Sequence, residues 1–333
     1  MHIINEQSFI QIMEEQVEPY LSTLRMAGRM ENGIYFECYR PKGAKAAIVI
    51  SHGFAEFTEK YREVIYYMVT NGYEVYISEH RGHARSVHPT NHRYRLHIEH
   101  FTDYVDDLHM FMEELVRPLS QGKPVYLFAH SMGGAIGALY LETYPHDFEA
   151  AVLSSPMLKI NLHGIPERLA TNLLGRKVKK GLSDTYAFSQ HDRDSGKEYA
   201  KEIASSRERF AYGIKKRDEN KQLFMGGSSR GWAYEATKAV RMIRRKESCS
   251  KIRIPVLVFM SAKDTIVLNA GTRRFAGNTK QARLIGVREA RHEIYNSHNC
   301  TLARYYQIIF KFFEQNGPHA KAHEENAQET GVR

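Results

Sequence analysis

Short apolar runs alternate with longer helical runs along most of this chain, and this alternation is the strongest constraint on its fold. Several short runs, such as residues 47–50, are continuously apolar, which is typical of strands buried on both faces of a parallel sheet. The predicted strands are residues 33–39, 46–51, 74–78, 125–129, 150–154, 255–261 and 282–285. The predicted helices are residues 60–70, 101–116 (stopped by Pro118), 132–143 and 302–315, with one more over residues 1–20. This order predicts an α/β fold with a doubly wound, mostly parallel sheet and helices on both faces.

The regular alternation stops between residues 157 and 248. The sequence pattern of this segment predicts helices. The segment contains 21 Lys or Arg and 11 Asp or Glu, a net charge of +10 in a chain whose total net charge is +9. A mainly helical cap, inserted after the sixth strand region and covering the carboxyl ends of the strands, explains this break. We therefore predict a core of residues 1–156 and 249–316, a basic cap of residues 157–248 and a disordered tail of residues 317–333.

The composition of the 333-residue chain is that of a globular protein, with 42% hydrophobic and 26% charged residues. No run approaches the 18 or so apolar residues that a membrane-spanning helix requires, and no secretory signal is evident at the start. The three cysteines have no metal-ligand spacing, which fits free thiols in a reducing compartment. We expect a cytoplasmic location and neither a metal nor a cofactor.

One serine stands between a predicted buried strand and a predicted helix. Ser131 follows the apolar residues 124–128 and precedes the helical residues 135–144. A serine at such a junction lies in a sharp, strained turn that exposes its hydroxyl group. The small residues Ala129 and Gly133 flank it and let strand and helix pack closely. The usual pattern at this turn is Gly-x-Ser-x-Gly, so Ala129 is a departure that still lacks bulk.

A serine hydroxyl is a weak nucleophile near neutral pH, so it needs a base and an acid that orients the base. Asp264 follows the predicted strand 255–261, and His292 follows the strand 282–285. The order serine, acid, histidine is the one found in doubly wound enzymes with a serine nucleophile. We therefore predict Ser131, Asp264 and His292 as the catalytic residues. Asp106 and Asp107 are rivals for the acid, but they precede the serine in a predicted helix and are badly placed for that role.

An oxyanion site requires two backbone N–H donors. The Met132 amide directly follows the predicted nucleophile and is the first candidate. The second should follow the early strand 46–51, where Gly53 lets the backbone turn and leaves the Phe54 amide as the best donor.

These residues together resemble a known family. The residues that carry the resemblance are, in chain order, His52-Gly53-Phe54-Ala55-Glu56 with Tyr61, Arg81-Gly82-His83-Ala84-Arg85-Ser86, His130-Ser131-Met132-Gly133-Gly134, Asp264 and His292-Glu293. The chain is similar over roughly residues 25–315 to the α/β-hydrolase group of monoacylglycerol lipases and bacterial lysophospholipases, the serine aminopeptidase S33-like hydrolases. The resemblance implies the α/β-hydrolase fold, a cap over the site and a serine esterase that acts on lipid monoesters.

The chain departs from the family pattern at three positions. Ala84 and Ala129 replace common glycines, and Glu79 replaces an aspartate. The resemblance implies structural roles for Arg81 and His83, which fasten loops beside the site.

The cap combines basic runs with apolar and aromatic residues, which suits a lipid with a charged head group. We expect a carboxyl-ester hydrolase of single-chain lipids, foremost a lysophospholipase, with peripheral contact of the basic cap with the inner, anionic face of a membrane. The alternatives are a monoacylglycerol lipase, a broad-specificity carboxylesterase or, more remotely, a noncatalytic binding protein with the hydrolase fold. No nucleic acid is expected as a partner, because the aromatic residues form no stacking platform.

Overall fold

Eight strands form one sheet within residues 2–188, 190–192 and 200–318, the part of the chain that the computed structural model describes. The strands are Arg25–Arg29 (β1), Tyr35–Tyr39 (β2), Ala46–Ser51 (β3), Tyr73–Ser78 (β4), Val125–His130 (β5), Ala150–Ser154 (β6), Val256–Ser261 (β7) and Ala282–Val287 (β8). Their order is β1-β2-β4-β3-β5-β6-β7-β8. The β1–β2 and β2–β4 pairs are antiparallel, and every other pair is parallel. The predicted doubly wound, mostly parallel sheet is confirmed.

Helices flank the sheet on both faces. They are Phe9–Ile12 (α1), Glu18–Leu24 (α2), Arg62–Thr70 (α3), Asp103–Phe111 (α4), Arg117–Ser120 (α5), Met132–Thr143 (α6), Glu167–Lys177 (α7), Ala200–Ile203 (α8), Arg207–Glu219 (α9), Arg230–Ile243 (α10), Lys246–Cys249 (α11), Asn269–Asn278 (α12) and Asn299–Gln315 (α13). Short 3₁₀ or π-helical turns are Glu6–Ser8, Met13–Val17, Thr58–Tyr61, Met112–Val116, Val178–Leu182, Lys221–Leu223 and Ile294–Asn296.

The central strands are as buried as their sequences predict. Every residue of β3, β4, β5 and β6 is buried. Side chains alternate between the two faces of a strand, so Val49 joins one apolar cluster while Ile48 and Ile50 join the other. The sheet therefore separates two cores, and its middle strands are held from both sides.

One local prediction was wrong, and one strand was not predicted. The helix over residues 101–116 does not stop at Pro118, because this proline lies in the first turn of α5, where no intrahelical N–H donor is needed. The chain turns only at Gln121, which has a left-handed backbone. Strand β1 was not predicted, since four of its five residues are exposed on an edge strand and give no apolar signal.

Helices α7 to α11 lie between β6 and β7, which confirms an insertion after the sixth strand. The bounds 157 and 248 of the cap remain a prediction. We use "the cap" for residues 157–248 below. Most of the predicted tail, residues 319–333, lies outside the described residues.

The N-terminal segment and α3 anchor the cap. On α9, Arg209 forms a bidentate ion pair with Glu63 of α3, with Nε 2.9 Å from Oε2 and Nη2 3.0 Å from Oε1. Arg209 also donates to the Ile4 carbonyl at 3.0 Å. On the same helix, Lys216 Nζ lies 3.0 Å from a carboxylate oxygen of Glu18. Part of the positive charge of the cap is therefore neutralised by acidic residues at the start of the chain.

We expect Glu63→Ala to lower the free energy of unfolding by about 3–5 kcal/mol, because it leaves the guanidinium of Arg209 buried without its carboxylate partner. Glu314→Ala is the matched control. Its partner Lys45 is largely exposed, so the loss should stay below about 1 kcal/mol. Urea unfolding measures both, and equal losses would show that the buried pair does not anchor the cap.

Candidate active site

Ser131 lies in a strained turn between β5 and α6, as its flanking sequence predicts. Its φ of 50° and ψ of −116° are rare for a residue with a side chain. The turn is held on both sides by the segment that ends β6. The Ser131 amide donates to the Ser154 carbonyl at 3.1 Å, and the Met157 amide donates to the Ser131 carbonyl at 2.8 Å. Backbone hydrogen bonds therefore fix the strained conformation.

The two glycines after the serine are required by close contacts. A Cβ atom on Gly133 would lie 2.1 Å from the Ser51 carbonyl oxygen, and one on Gly134 would lie 2.6 Å from Cβ of Pro156. Alanine is tolerated at position 129, two residues before the serine, because its methyl group faces Gly137. A Cβ atom added to Gly137 would lie 3.3 Å from this methyl group. The departure at Ala129 thus leaves the turn intact.

The three side chains predicted from chain order meet at the carboxyl edge of the sheet. His292 Nε2 lies 2.8 Å from Ser131 Oγ, and His292 Nδ1 lies 2.8 Å from Asp264 Oδ2. The other carboxylate oxygen of Asp264 accepts the amides of Ile266 and Val267 at 2.9 and 3.0 Å. Asp264 is therefore fixed by its own loop after β7, and it aligns the imidazole of His292.

The site is covered. Ser131 is 6% exposed and His292 is 5% exposed. Phe54 packs on Trp232 of α10 with ring centroids 4.4 Å apart, so the cap closes over the loop that follows β3. Water around a charge that develops at Ser131 is thereby largely excluded, which strengthens electrostatic interactions there.

The two predicted oxyanion donors have free amides. Met132 is the first residue of α6, so its N–H has no partner within the helix. Within the described part of the chain, neither the Met132 amide nor the Phe54 amide donates to a protein acceptor. The turn that carries Phe54 continues into Ala55, whose φ is 55°.

Three buried histidines pack beneath this loop. The ring of His52 lies 4.2 Å from that of His80 and 5.3 Å from that of His83, between centroids. Burial lowers the pKa of all three, to about 4 for His52, so the rings are neutral near pH 7. His52 Nε2 accepts the His80 amide at 2.9 Å, which joins the ends of β3 and β4. The cluster supports the loop, and the lowered pKa values make its rings weak proton acceptors near pH 7.

The rival acid does not reach the histidine of the site. Asp107 binds the guanidinium of Arg81 through both carboxylate oxygens, at 2.6 and 2.8 Å. Arg81 thus fastens its loop to α4, which fits the structural role implied for it. Similarly, the carboxylate of Glu79 accepts hydrogen bonds from the backbone amide and the guanidinium of Arg85. The glutamate at this position, where the family pattern has an aspartate, thus binds the loop that carries Arg85.

Sequence reasoning missed a set of buried charged residues beside the site. Lys60 lies between the carboxylates of Glu56 and Glu293. Glu56 and Glu293 belong to the motifs that carry the family resemblance, but Lys60 does not. A lysine in an otherwise amphipathic run gives no sign that its ammonium group lies between two buried carboxylates.

No described helix has the length and apolar character needed to cross a membrane.

Comparisons with known proteins agree with the fold and the motifs. Residues 42–299 match the family described as "Serine aminopeptidase, S33". The chain is 27% identical to the "Probable lysophospholipase L2" of Haemophilus influenzae over 264 residues, which are 78% of this chain and 81% of that protein. It is 32% identical to the "Monoglyceride lipase" of Homo sapiens over 157 residues, 44% of this chain and 46% of that protein.

Among solved structures, a soluble variant of the monoglyceride lipase of Saccharomyces cerevisiae superposes with a TM-score of 0.69 at 17% identity. The match covers 88% of this chain and 94% of that one. The likeness confirms the α/β-hydrolase fold. The family match spans well over half of the chain, so this protein belongs to the serine aminopeptidase S33 family and is an ester hydrolase of the α/β-hydrolase fold.

Proposed function

We propose that the protein hydrolyses carboxyl esters through an acyl-enzyme on Ser131. The hydrogen-bonded chain from Ser131 through His292 to Asp264 carries this proposal. Ser131 Oγ attacks the ester carbonyl carbon while its proton passes to His292 Nε2. The negative oxygen that forms is stabilised by the Phe54 and Met132 amides.

Acylation is completed when the alcohol leaves, and hydrolysis of the acyl-enzyme follows. The imidazolium of His292 gives its proton to the leaving alkoxide, and the alcohol departs. A water molecule then loses a proton to His292 Nε2 and attacks the acyl carbon. His292 returns this proton to Ser131 Oγ as the bond between Oγ and the acyl carbon breaks, and the fatty acid is released. Asp264 holds the Nδ1–H tautomer and stabilises the imidazolium in both steps.

The substrate class we favour is a single-chain lipid with a charged head group, foremost a lysophospholipid. The name of the Haemophilus influenzae relative, which aligns over most of both chains, supports it. The loop after β3 also borders an apolar cluster suited to an acyl chain, formed by Phe57, Ala84, Leu96, Leu223 and Met225 with Phe54 and Ala55 packed against it. The partial match to a monoglyceride lipase keeps monoacylglycerols as the alternative, ahead of a broad range of carboxyl esters.

We also propose that the outer face of α7 contacts an anionic membrane. Leu169 and Leu173 are exposed apolar side chains about one turn apart on α7, and Ile165 before this helix and Met242 of α10 are exposed as well. Basic side chains surround a concavity of about 380 Å³ at the end of the helix: Arg176, Lys177, Lys179 and Lys180. In the described structure these four form no ion pair, unlike Arg209 and Lys216. Apolar side chains beside unpaired cations suit the boundary between acyl chains and anionic head groups.

Ser131→Ala should abolish ester hydrolysis, with a loss in kcat of at least about 10⁴-fold, because no other nucleophile is in place. Labelling by a fluorophosphonate should be lost as well. Ser120→Ala, at a buried serine before the amino end of β5, is the matched control and should keep wild-type rates. Hydrolysis by the Ser131 variant would overturn the mechanism, and a wild-type protein that resists labelling would favour a noncatalytic binding protein.

A panel of pure lipids tests the substrate class. We expect kcat/KM for lysophosphatidylcholine to exceed that for a monoacylglycerol with the same acyl chain by about tenfold or more, about 1.4 kcal/mol of transition-state binding. A preference for the monoacylglycerol would establish the alternative. A preference for short, water-soluble esters would refute the lipid assignment.

Lys177→Gln/Lys180→Gln should weaken binding to phosphatidylglycerol vesicles about thirtyfold, since each cation near an anionic surface contributes about 1 kcal/mol. Leu169→Gln/Leu173→Gln should weaken it through lost apolar burial. Met26→Gln, at an equally exposed apolar residue on β1, is the control and should have no effect. Vesicle sedimentation measures all three, and equal binding by every variant would place the contact elsewhere.

A further inference from the structure

Two buried carboxylates and a partly buried lysine form a network beside the active site. Lys60 Nζ lies 2.8 Å from Glu56 Oε1 and contacts Glu293 Oε1 even more closely. Glu56 and Glu293 are each 3% exposed. The two carboxylates share one ammonium group, so the network carries a buried net negative charge when all three groups are ionised.

Glu56 reaches the loop that carries the proposed oxyanion donor. Its Oε2 accepts the Gly53 amide at 2.6 Å and the Tyr61 hydroxyl at 2.6 Å. Gly53 directly precedes Phe54, so the carboxylate fixes the backbone from which the Phe54 amide projects. Gly53 and the Glu56 carboxylate are closely packed, since a Cβ atom on Gly53 would lie 2.7 Å from Glu56 Oε2.

Glu293 reaches the loop that carries the proposed base. It is the residue after His292, and its Oε2 accepts the side-chain amide of Asn296 at 2.7 Å. Its backbone amide donates to the Ile203 carbonyl in the cap at 2.8 Å. The Lys60 contact therefore joins the histidine loop to the segment Thr58–Tyr61, which follows the oxyanion loop.

The network also touches the segment that carries the serine. Tyr295 donates to Glu56 Oε1 at 2.6 Å, and its ring packs edge-on against His130 with centroids 5.1 Å apart. The His130 ring lies 5.0 Å from that of His292. Burial lowers the pKa of His130 to about 3, so this ring stays neutral and packs without adding a charge.

The charges in the network are unequal. Lys60 and the hydroxyl donors hold the pKa of Glu56 well below its usual range, despite burial. Burial, together with the nearby charge of Glu56, raises the pKa of Glu293. The two carboxylates raise the pKa of Lys60. Lys60 thus stays charged near neutral pH, and removing it would leave two buried carboxylates facing each other.

We propose that Lys60, Glu56 and Glu293 are positioning residues for ester hydrolysis, which together hold the Phe54 amide and the His292 imidazole in one geometry around Ser131. The inference rests on the proposed function of that site. None of the three touches the reacting atoms; each acts on a neighbour of a residue that does. Apolar packing in place of a whole buried ion network is often equally stable, so stability alone does not account for these charges, and we expect their effect in the chemical step. A displacement of about 1 Å at such a site can cost about 10²-fold in rate.

Lys60→Met tests the proposal with a short, water-soluble ester and the full chain. We expect kcat to fall about 10²-fold while KM stays within threefold, because the oxyanion donor and the base lose their alignment but the substrate still binds. Lys60→Arg should restore most of kcat, since a guanidinium can bridge both carboxylates. Glu37→Gln is the matched control: Glu37 is fully buried, and its hydrogen bonds go to Tyr35, Tyr39 and Arg62 rather than to the residues beside Phe54, Ser131 or His292.

A second variant covers the case in which Lys60→Met does not fold. Glu293→Gln keeps the bond to Asn296 but removes a buried negative charge one residue from His292. The groups near that imidazole are then Asp264, Glu56, Lys60 and neutral His130. Loss of the negative charge leaves the imidazolium that forms at His292 during the reaction less stabilised, so kcat should fall while KM stays within threefold.

Three results would overturn the proposal. One is an unchanged kcat in Lys60→Met or in Glu293→Gln. Another is a fall in kcat that Glu37→Gln reproduces at equal loss of melting temperature, which would mean that general destabilisation is the cause. The third is failure of the wild-type protein to react with a fluorophosphonate, which refutes the proposed function itself and is measured first.

Discussion

The parallel register of the central strands is the constraint on which the rest of the structure depends. Strands β3, β5, β6, β7 and β8 run in the same direction, so their carboxyl ends meet at one edge. Residues that are far apart in the chain emerge there as neighbours: Phe54 after β3, Ser131 after β5, Asp264 after β7 and His292 after β8. The hydrogen bonds between these side chains follow from the sheet, and no single loop could form them alone.

The sequence predicted the parts of the molecule that local chemistry determines. Continuous apolar runs located the buried strands. The small residues around Ser131 located the turn, because a Cβ atom at Gly133 would collide with the Ser51 carbonyl at the end of β3. Chain order then identified Asp264 and His292. The geometry now supports these assignments, and their catalytic roles remain proposals.

Other features depend on tertiary contacts that no local pattern encodes. Strand β1 is largely exposed and has no continuous apolar run, and it is a strand because β2 supplies its partners. Lys60 is largely withdrawn from solvent because two carboxylates from separate segments flank its ammonium group. The net charge of the cap could be counted from the sequence. Which of its cations are paired with carboxylates could not be predicted. Acidic residues of the N-terminal segment neutralise part of it at α9, and the unpaired cations remain at the end of α7.

The contrast between buried and exposed charges has a consequence for how the protein responds to dissolved ions. Salt screens exposed charges over a Debye length of about 8 Å at 0.15 M ionic strength, but it screens buried pairs much less. Rising ionic strength should therefore weaken the proposed contact of the basic end of α7 with an anionic membrane while leaving Lys60, Glu56 and Glu293 in place. Adsorption and bond cleavage are then governed by separate sets of charges, and ionic strength becomes the variable that regulates the first without disturbing the second.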